Sequence, residues 1–342
     1  MERTRIGNSG VHTSRIGLGT WAIGGWMWGG TDERESIATI RAAIERGVTL
    51  IDTAPVYGFG RSEEIVGKAL AGLRDKVQIA TKVGLAWQDG KVFRDSRASH
   101  IRQEVEDSLR RLRTDFIDLY QVHWPDPHVP IAETAMVLDD LRDEGKIRAI
   151  GVSNFSSWQM TAWRGVAPLD ALQSPYNLFE REIEAGPLPY AARARLTLLG
   201  YGALCRGLLS GRMSADTVFS GDDLRRDDPK FQGARFSQYL RAVNELKSLA
   251  RERYGKSVLA LAVRWVLDRG HTIALWGARR PEQLAPLEEI DGWHIDAQGV
   301  RAIDAILARC ITDPVSAAFM APPARPDVPD LIRTRARDET AA

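Results

Sequence analysis

Short apolar runs alternate along this chain with stretches whose hydrophobic residues recur at helical spacing. The apolar runs are rich in leucine and β-branched residues and contain few charges, which is typical of parallel strands covered on both faces. This pattern predicts strands over residues 15–19, 49–52, 77–82, 116–123, 149–153, 171–174, 196–201 and 272–276.

The segments between these runs predict amphipathic helices. Asp32, followed three residues later by Glu35, has the spacing of a capping box, and Gly47 is a suitable helix end. Ser62 and Ser99 are each predicted to begin a further helix. The remaining periodic stretches predict helices over 131–144, 238–254 and 258–268. The last of these is apolar on nearly all sides, so we expect it to be buried.

Eight strand–helix units in series, without a Pro/Gly-rich linker, predict an α/β fold with a closed (β/α)8 TIM barrel, forming a single domain over residues 1–342. A doubly wound sheet is the alternative, and it would need a phosphate fingerprint after an early strand. The first glycine cluster, residues 17–25, lacks the G-x-G-x-x-G spacing. In a barrel, functional residues are expected at the C-terminal ends of the strands and in the loops that follow.

Three segments do not fit the strand–helix repeat: residues 1–13, 202–236 and 311–342. The first predicts an N-terminal hairpin that closes the bottom of the barrel. The second is a long loop after strand seven, and structureless loops of that length are usually functional or disordered. The third is a Pro-rich C-terminal extension, in which we expect Phe319 and Met320 to act as anchors and residues 333–342 to be mobile.

Composition narrows the class of protein. Lys plus Arg is 46 and Asp plus Glu is 45, a net charge of +1, which gives no support for a nucleic-acid or acidic-membrane partner. Cys205 and Cys310 are the two cysteines, too few for a disulfide framework. The chain has neither a run of ~20 apolar residues nor an apolar stretch typical of a secretory signal at its start. We therefore expect a cytoplasmic protein.

Four ionisable residues fall at or just after predicted strand ends: Asp52, Tyr57, Lys82 and His123. Each alone has an ordinary structural explanation: a turn cap, a rim aromatic, a strand-end lysine and a buried core histidine. Together they are harder to explain in this way, because a buried lysine is costly unless it is paired, and Asp52 is its natural partner.

The chemistry of these four residues points to carbonyl reduction. An ordinary tyrosine has a pKa near ~10, and an adjacent lysine ammonium is expected to lower it. An aspartate keeps the lysine charged, and a histidine can polarise a carbonyl oxygen by a hydrogen bond. Because no side chain donates hydride, the set implies a nicotinamide cofactor.

Several longer motifs resemble the aldo-keto reductase superfamily, over about residues 4–307. They are GVTLIDTAPVYG at 47–58, SEE at 62–64, LYQVH at 119–123, GKIRAIGVSN at 145–154 and Gln173. Three others, at 21–30, 201–211 and 276–279, look closest to the bacterial general-stress-protein type of NADPH-dependent enzymes. The resemblance implies the barrel fold and a catalytic tetrad of Asp52, Tyr57, Lys82 and His123. It also implies reversible reduction of small aldehydes and some ketones, with Tyr57 as general acid.

The resemblance further assigns NADP(H) as cofactor and names its contacts. These are Trp21, Ala22, Asp52, Ser153, Asn154, Gln173, Tyr201, Gly202, Ala203, Leu204, Cys205, Arg206, Arg212, Arg225, Gly277, Ala278, Arg279 and Gln283. Arg279 precedes Pro281 at a predicted helix start, where a guanidinium suits a 2′-phosphate, so NADP(H) is favoured over NAD(H). The alternative is a solvated arginine pair.

Aromatic residues after the strand ends are expected to form the substrate pocket. The predicted substrate contacts are Trp21, Tyr57, Trp87, His123 and Trp124, and Trp26, Trp28 and Phe155 are further candidates for its wall. No metal motif is present. We expect a small carbonyl or alcohol substrate and a monomer or homo-oligomer. A cofactor-sensing binding module and an unrelated barrel enzyme are the alternatives, and neither requires all four ionisable residues.

Overall fold

Eight parallel strands close into a barrel in the computed structural model, which describes residues 1–326. In chain order the barrel strands are β1 (Ile16–Gly19), β2 (Leu50–Asp52), β3 (Gln78–Val83), β4 (Ile117–Val122), β5 (Ile147–Ser153), β6 (Ala171–Pro175), β7 (Thr197–Tyr201) and β8 (Thr272–Gly277). Each pairs with its neighbours in sequence, and β8 pairs with β1. The TIM barrel prediction is confirmed, and the doubly wound alternative is wrong. The predicted mobile segment 333–342 lies outside the described residues.

Helices connect successive strands around the outside of the barrel. The α-helices are Trp21–Gly24, Glu33–Glu45, Arg61–Ala69, Ala98–Leu112, Ile131–Asp143, Ser157–Arg164, Pro187–Ala194, Gly233–Leu249, Val258–Leu267 and Ala297–Cys310. Short 3₁₀ segments are Arg74–Lys76, Glu182–Ala185, Cys205–Ser210, Leu224–Arg226, Pro229–Phe231, Pro281–Glu289 and Ala317–Met320, and Ala250–Tyr254 is a π-helical turn. As predicted, every residue of Val258–Leu267 is buried.

Two predicted helix starts are wrong. Ser62 lies inside helix Arg61–Ala69, and its hydroxyl is buried and bonded to Thr20 and Thr53 instead of capping the helix. Helix Ala98–Leu112 likewise begins before Ser99. By contrast, Asp32 does cap its helix, accepting a hydrogen bond from the Glu35 backbone N–H.

Two antiparallel hairpins flank the barrel at its opposite ends. The predicted N-terminal hairpin pairs Arg3–Arg5 with His12–Ser14, and its Ile6 packs against the barrel floor. The second, here called the mouth hairpin, pairs Leu85–Gln88 with Lys91–Arg94 directly after β3 and was not predicted. Its turn is the Asp89–Gly90 pair, both with positive φ, a standard signal for a two-residue hairpin loop.

The barrel interior consists of an apolar floor and a polar upper layer. Floor side chains include Leu50, Ala80, Leu119, Ala171 and Leu199. Because alternate residues of a strand face the same side, the residue two positions later on each strand also points inward. Those positions are Asp52, Lys82, Gln121, Gln173 and Tyr201. The strand register thus gathers polar groups at the C-terminal mouth.

Within residues 1–326, no helix is long and apolar enough to cross a membrane. The same residues contain no group of three or more His, Cys, Asp or Glu side chains arranged to hold a metal ion.

Candidate active site

A buried ion pair lies at the centre of the barrel mouth. The Lys82 ammonium is 2.7 Å from Asp52 Oδ1, and it also donates to the Thr53 carbonyl at 2.9 Å. Lys82 is fully buried and Asp52 is 3% exposed. A buried pair of this kind is tolerated only when further hydrogen bonds satisfy both groups. The predicted pairing of Lys82 with Asp52 is therefore present in the structure.

Two glutamines complete the surroundings of the aspartate. Gln173 Nε2 donates to Asp52 Oδ2 at 2.8 Å, and Gln121 Nε2 approaches the same oxygen at 3.4 Å. The two amides also contact each other, with Gln173 Nε2 3.3 Å from Gln121 Oε1. Sequence reasoning missed Gln121. Its signal was an amide near the C-terminal end of strand β4, two residues before His123 and therefore on the same side of the strand.

Tyr57 and His123 border the ion pair on its open side. Lys82 Nζ donates to the Tyr57 hydroxyl at 3.3 Å, and the Tyr57 and His123 rings meet edge-on with centroids 5.8 Å apart. Trp21 stacks on Tyr57 at 5.9 Å from the other direction. A Cβ on Gly58 would lie 2.2 Å from the Gly24 carbonyl oxygen, so only glycine permits this close approach of the two loops. The four ionisable residues predicted from the sequence are therefore brought together.

The electrostatics of the site differ from the sequence expectation. Burial and the Asp52 carboxylate raise the pKa of Tyr57 well above its ordinary value, whereas Lys82 was expected to lower it. The physical reason is that the Lys82 charge is balanced by Asp52, which leaves desolvation of the phenol dominant. Burial, with a smaller contribution from Lys82, lowers the pKa of His123 well below its ordinary value. At neutral pH the site thus contains a phenol and an uncharged imidazole.

Asn154, directly after β5, organises the opposite edge of the mouth. Its amide nitrogen donates to the His123 carbonyl and to Ser153 Oγ, each at 3.0 Å, and its amide oxygen accepts from the Tyr201 hydroxyl at 3.0 Å. Its backbone has a φ of +63°, in the left-handed region. A backbone bond from Asn154 N–H to the Gln173 carbonyl at 2.9 Å holds this conformation.

One cavity extends from this centre toward β7 and β8. This arginine-lined cavity has a volume of about 370 Å³. Its walls include the predicted cofactor contacts Trp21, Ala22, Asp52, Gln173, Tyr201, Gly202, Ala203, Leu204, Arg206, Arg225, Gly277, Ala278, Arg279 and Gln283. Gly19, Thr20, Trp28, Glu35, Gly207, Leu275 and Arg280 also line it and were not predicted.

Arg279 is anchored at the far end of this cavity. Its guanidinium donates to the carbonyls of Trp28 and Gly30, at 2.8 and 2.6 Å, and its backbone N–H donates to Gln283 Oε1 at 2.7 Å. The adjacent Arg280 is exposed and lies 3.5 Å from Glu35. The structure therefore distinguishes the two arginines, which the sequence left equivalent.

Four predicted cofactor contacts do not line this cavity. Ser153 and Asn154 lie instead in the wall of the second cavity described below, and Cys205 and Arg212 line neither. Cys205 is fully buried beneath the loop, where burial raises the pKa of its thiol to about 12. Arg212 is exposed beyond the left-handed turn at Gly211 and lines neither cavity of the mouth.

A second cavity opens on the other side of Tyr57. This tryptophan-lined cavity has a volume of about 400 Å³, and Trp21, Tyr57, Gln173 and Tyr201 border both cavities. Its remaining walls are Trp26, Met27, Val56, Leu85, Val92, His123, Trp124, Ser153, Asn154, Leu224, Asp227, Phe319, Met320, Pro322 and Pro323.

Three predicted wall residues lie elsewhere. Trp87 does not line the tryptophan-lined cavity. It shares one face of the mouth hairpin with Leu85 and Val92, which do line the cavity, but its ring packs on Phe59, with centroids 5.6 Å apart. Trp28 borders the arginine-lined cavity. Phe155 is buried against Trp163. Trp21, Trp26 and Trp124 do line the tryptophan-lined cavity as predicted.

The C-terminal extension reaches this second cavity because the mouth hairpin binds it. Arg94 N–H donates to the Pro323 carbonyl at 3.0 Å, and Arg94 Nε donates to the Pro322 carbonyl at 2.9 Å. Phe319 and Met320, the predicted anchors of this extension, line the tryptophan-lined cavity. Neither contact was visible from the sequence, because Arg94 and Pro322 are 228 residues apart.

A buried ionic cluster of Glu180, Arg206, Asp228 and Lys230 lies beneath the long loop that follows β7. Arg206 Nε is 2.6 Å from Asp228, and Lys230 Nζ is 2.9 Å from Glu180. Arg206 is 7% exposed and the other three are fully buried. The cluster carries two positive and two negative charges, so it is neutral as a unit. It joins the segment after β6 to the long loop, and Arg206 also lines the arginine-lined cavity.

Removing one charge from this cluster is expected to destabilise the protein strongly. Lys230→Met leaves two buried carboxylates with one cation, which costs about 3–5 kcal/mol in free energy of unfolding. Chemical denaturation would measure the loss, with the exposed Lys247→Met as control. The double variant Lys230→Met, Asp228→Asn should recover part of the stability because it restores neutrality. A single variant as stable as its control would contradict this assignment.

The chain is similar to known oxidoreductases over nearly its whole length. A family model described as "Aldo/keto reductase family" matches residues 15–308. The aldo-keto reductase YhdN of Bacillus subtilis (strain 168) is 60% identical over 331 residues, which are 96% of this chain and 100% of that protein. An NADH-specific methylglyoxal reductase of Escherichia coli (strain K12) is 37% identical over 301 residues, 83% of this chain and 91% of that protein.

Solved structures agree with this similarity. The glycerol dehydrogenase AKR11B4 from Gluconobacter oxydans superposes with a TM-score of 0.85 at 56% identity, covering 93% of this chain and 99% of that one. An aldo/keto reductase from Klebsiella pneumoniae, solved in complex with NADP and acetate, superposes with a TM-score of 0.67 at 27% identity, covering 89% of this chain and 95% of that one.

Proposed function

Since the chain belongs to the aldo/keto reductase family, we propose that it reduces small aldehydes and some ketones to alcohols with NADPH, reversibly, and with Tyr57 as general acid. The observation that carries this proposal is the convergence of Asp52, Tyr57, Lys82 and His123 at the junction of the two cavities. One cavity suits a phosphorylated dinucleotide and the other a small carbonyl compound.

The residues of the arginine-lined cavity fit a nicotinamide dinucleotide. Arg206, Arg225, Arg279 and Arg280 supply cationic groups for phosphates, and Gly202 and Gly277 allow close backbone approach. Gln173 uses its amide nitrogen on Asp52, which leaves its amide oxygen to accept a hydrogen bond from a carboxamide. When bound, the cofactor supplies the hydride that no side chain can provide.

The remaining chemistry belongs to the protein. The raised pKa of Tyr57 keeps its phenol protonated at neutral pH, ready to give a proton to a carbonyl oxygen. Lys82, 3.3 Å away, stabilises the phenolate left behind, and Asp52 holds Lys82 in position. The uncharged His123 imidazole can donate a hydrogen bond to the same carbonyl oxygen and polarise it. In the alcohol-oxidising direction the phenolate is the base.

The direct test monitors the absorbance of the reduced nicotinamide. It should fall when aldehydes or ketones are reduced and rise when polyols are oxidised with the oxidised cofactor. Both NADPH and NADH should be assayed, because one relative is named as NADH-specific while a Klebsiella neighbour was solved with NADP. We expect turnover of small aldehydes and a preference for NADPH. Absence of turnover with every carbonyl and both cofactors would refute the proposal.

Arg279 is expected to select the phosphorylated cofactor. A charge-assisted contact to a 2′-phosphate contributes roughly 1.5–3 kcal/mol, so Arg279→Ala should weaken NADPH binding by about ten- to a hundred-fold and leave NADH binding nearly unchanged. Titration of both cofactors by protein fluorescence would measure this, since Trp21 and Trp28 line the cavity.

The control is Arg301→Ala, because Arg301 is an exposed arginine on helix Ala297–Cys310 that lines neither cavity. Equal weakening of both cofactors by Arg279→Ala would mean that its bonds to the Trp28 and Gly30 carbonyls, and not phosphate recognition, are its main role.

A further inference from the structure

The two cavities that meet at Tyr57 differ in charge. The arginine-lined cavity has four guanidinium groups in its walls. Among the described residues, the tryptophan-lined cavity has no Lys or Arg in its walls and one acidic residue, Asp227. A substrate entering this second cavity therefore meets aromatic and aliphatic surface, a few neutral polar groups and a carboxylate.

The positive charges close to this cavity are already engaged. Arg206 and Lys230, each 5.6 Å from the Phe319 ring centroid, are paired with Asp228 and Glu180 in the buried ionic cluster. Lys82 is paired with Asp52 at 2.7 Å beneath Tyr57. Arg94 lies over the Trp124 ring, 5.4 Å from its centroid, and donates to the Pro125 and Pro322 carbonyls, so it supports the wall without lining it. His123 is uncharged at neutral pH because burial lowers its pKa. An anionic substrate would lose hydration here without gaining a cationic partner, which is unfavourable.

Asp227 is well placed to act on substrates as they enter. It lies in the long loop after β7, directly after the 3₁₀ turn Leu224–Arg226, and its side chain is exposed at the cavity wall. Among residues 1–326 its carboxylate has no ion-pair or hydrogen-bond partner, unlike the neighbouring Asp228, which Arg206 neutralises. The Asp227 charge therefore acts on the cavity without local compensation.

We propose that Asp227 is a specificity-determining residue, and that this pocket accepts uncharged carbonyl compounds with an apolar or aromatic body and rejects carboxylated or phosphorylated ones. This inference rests on the proposed reductase activity. It concerns the substrate charge only, so Asp227 contributes to selection and not to the chemical step.

A pair of matched substrates tests it on the full chain. Methyl 4-formylbenzoate and 4-formylbenzoate have nearly the same size and differ in charge. We expect kcat/KM for the ester to exceed that for the carboxylate by on the order of ten-fold or more. Asp227→Asn should shrink this ratio by about three- to five-fold, the size expected for one exposed charge, chiefly by raising kcat/KM for the carboxylate. Raising the ionic strength should also shrink the ratio, because salt screens an exposed charge.

The matched control is Asp216→Asn, which removes the same charge from an exposed position of the same loop that lines neither cavity. The ratio should not change in this variant. Equal use of ester and carboxylate by the unmodified protein, or equal ratios in the two variants, would overturn the proposal. If neither aldehyde is reduced with either cofactor, both this inference and the proposed function fail.

Discussion

Tyr57→Phe is expected to remove most carbonyl reduction, with a fall in kcat of about 10²- to 10⁴-fold, because the phenol is the proton donor that the site offers to a carbonyl oxygen. Cofactor affinity and the fold should be preserved, since the ring keeps its stacking contact with Trp21 at 5.9 Å. Initial rates under saturating cofactor would measure the loss, and fluorescence titration would check binding.

The control for this change is Tyr190→Phe, which removes a phenol oxygen on helix Pro187–Ala194, away from both cavities. Its kcat should equal that of the unmodified protein. Aldehyde reduction by Tyr57→Phe at close to the unmodified rate would show that another group donates the proton. His123, whose ring meets Tyr57 edge-on in the wall of the tryptophan-lined cavity, would then be the first candidate to test.

Lys82→Met is expected to cause a similarly large loss at neutral pH. The Lys82 ammonium, 3.3 Å from the phenol oxygen, is the positive charge that stabilises the phenolate formed when Tyr57 gives up its proton. Burial and Asp52 already raise the pKa of Tyr57, and without Lys82 that pKa should rise further. Proton donation then becomes slower, and alcohol oxidation, which needs the phenolate, should shift to higher pH.

Full pH–rate profiles in both directions would measure this shift. Because Lys82→Met leaves the Asp52 carboxylate buried without its cation, the single variant is also expected to be less stable. The double variant Lys82→Met, Asp52→Asn removes both charges of the buried pair, so it should stay folded. Its pH–rate profile can then be measured even if the single variant unfolds. A folded variant whose pH–rate profile is unchanged would contradict the role assigned to Lys82.

The fold and the centre of the candidate site were predictable because both depend on local pattern. Strand positions follow from short apolar runs, and the barrel follows from their alternation with helices. A barrel exposes the residues at its strand ends, so Asp52, Lys82 and His123 could be selected before their contacts were known. The helix start at Ser62 failed for the opposite reason, since tertiary hydrogen bonds to Thr20 and Thr53, and not capping, decide where that serine lies.

The walls of the tryptophan-lined cavity were harder to predict. Trp87 was assigned to the cavity because it follows a strand, yet the mouth hairpin turns it toward Phe59. The Asp89–Gly90 pair is a sequence signal for this hairpin, but the strand pattern did not include a hairpin at this position. Asp227 and Met320 become wall residues only because distant segments close over the mouth.

By itself, the sequence determined the barrel, its N-terminal hairpin and the four ionisable residues at its mouth, because each depends on residue spacing along one or two adjacent elements. Only the tertiary structure decided which groups surround them. Gln173 reaches Asp52 across 121 residues, and Arg94 binds the C-terminal extension across 228. The tertiary structure also decided the pKa of Tyr57. The sequence predicted a lysine beside this tyrosine, but it did not determine the direction of the pKa shift. That direction depends on how far packing removes water from the phenol and on how fully Asp52 balances the lysine charge.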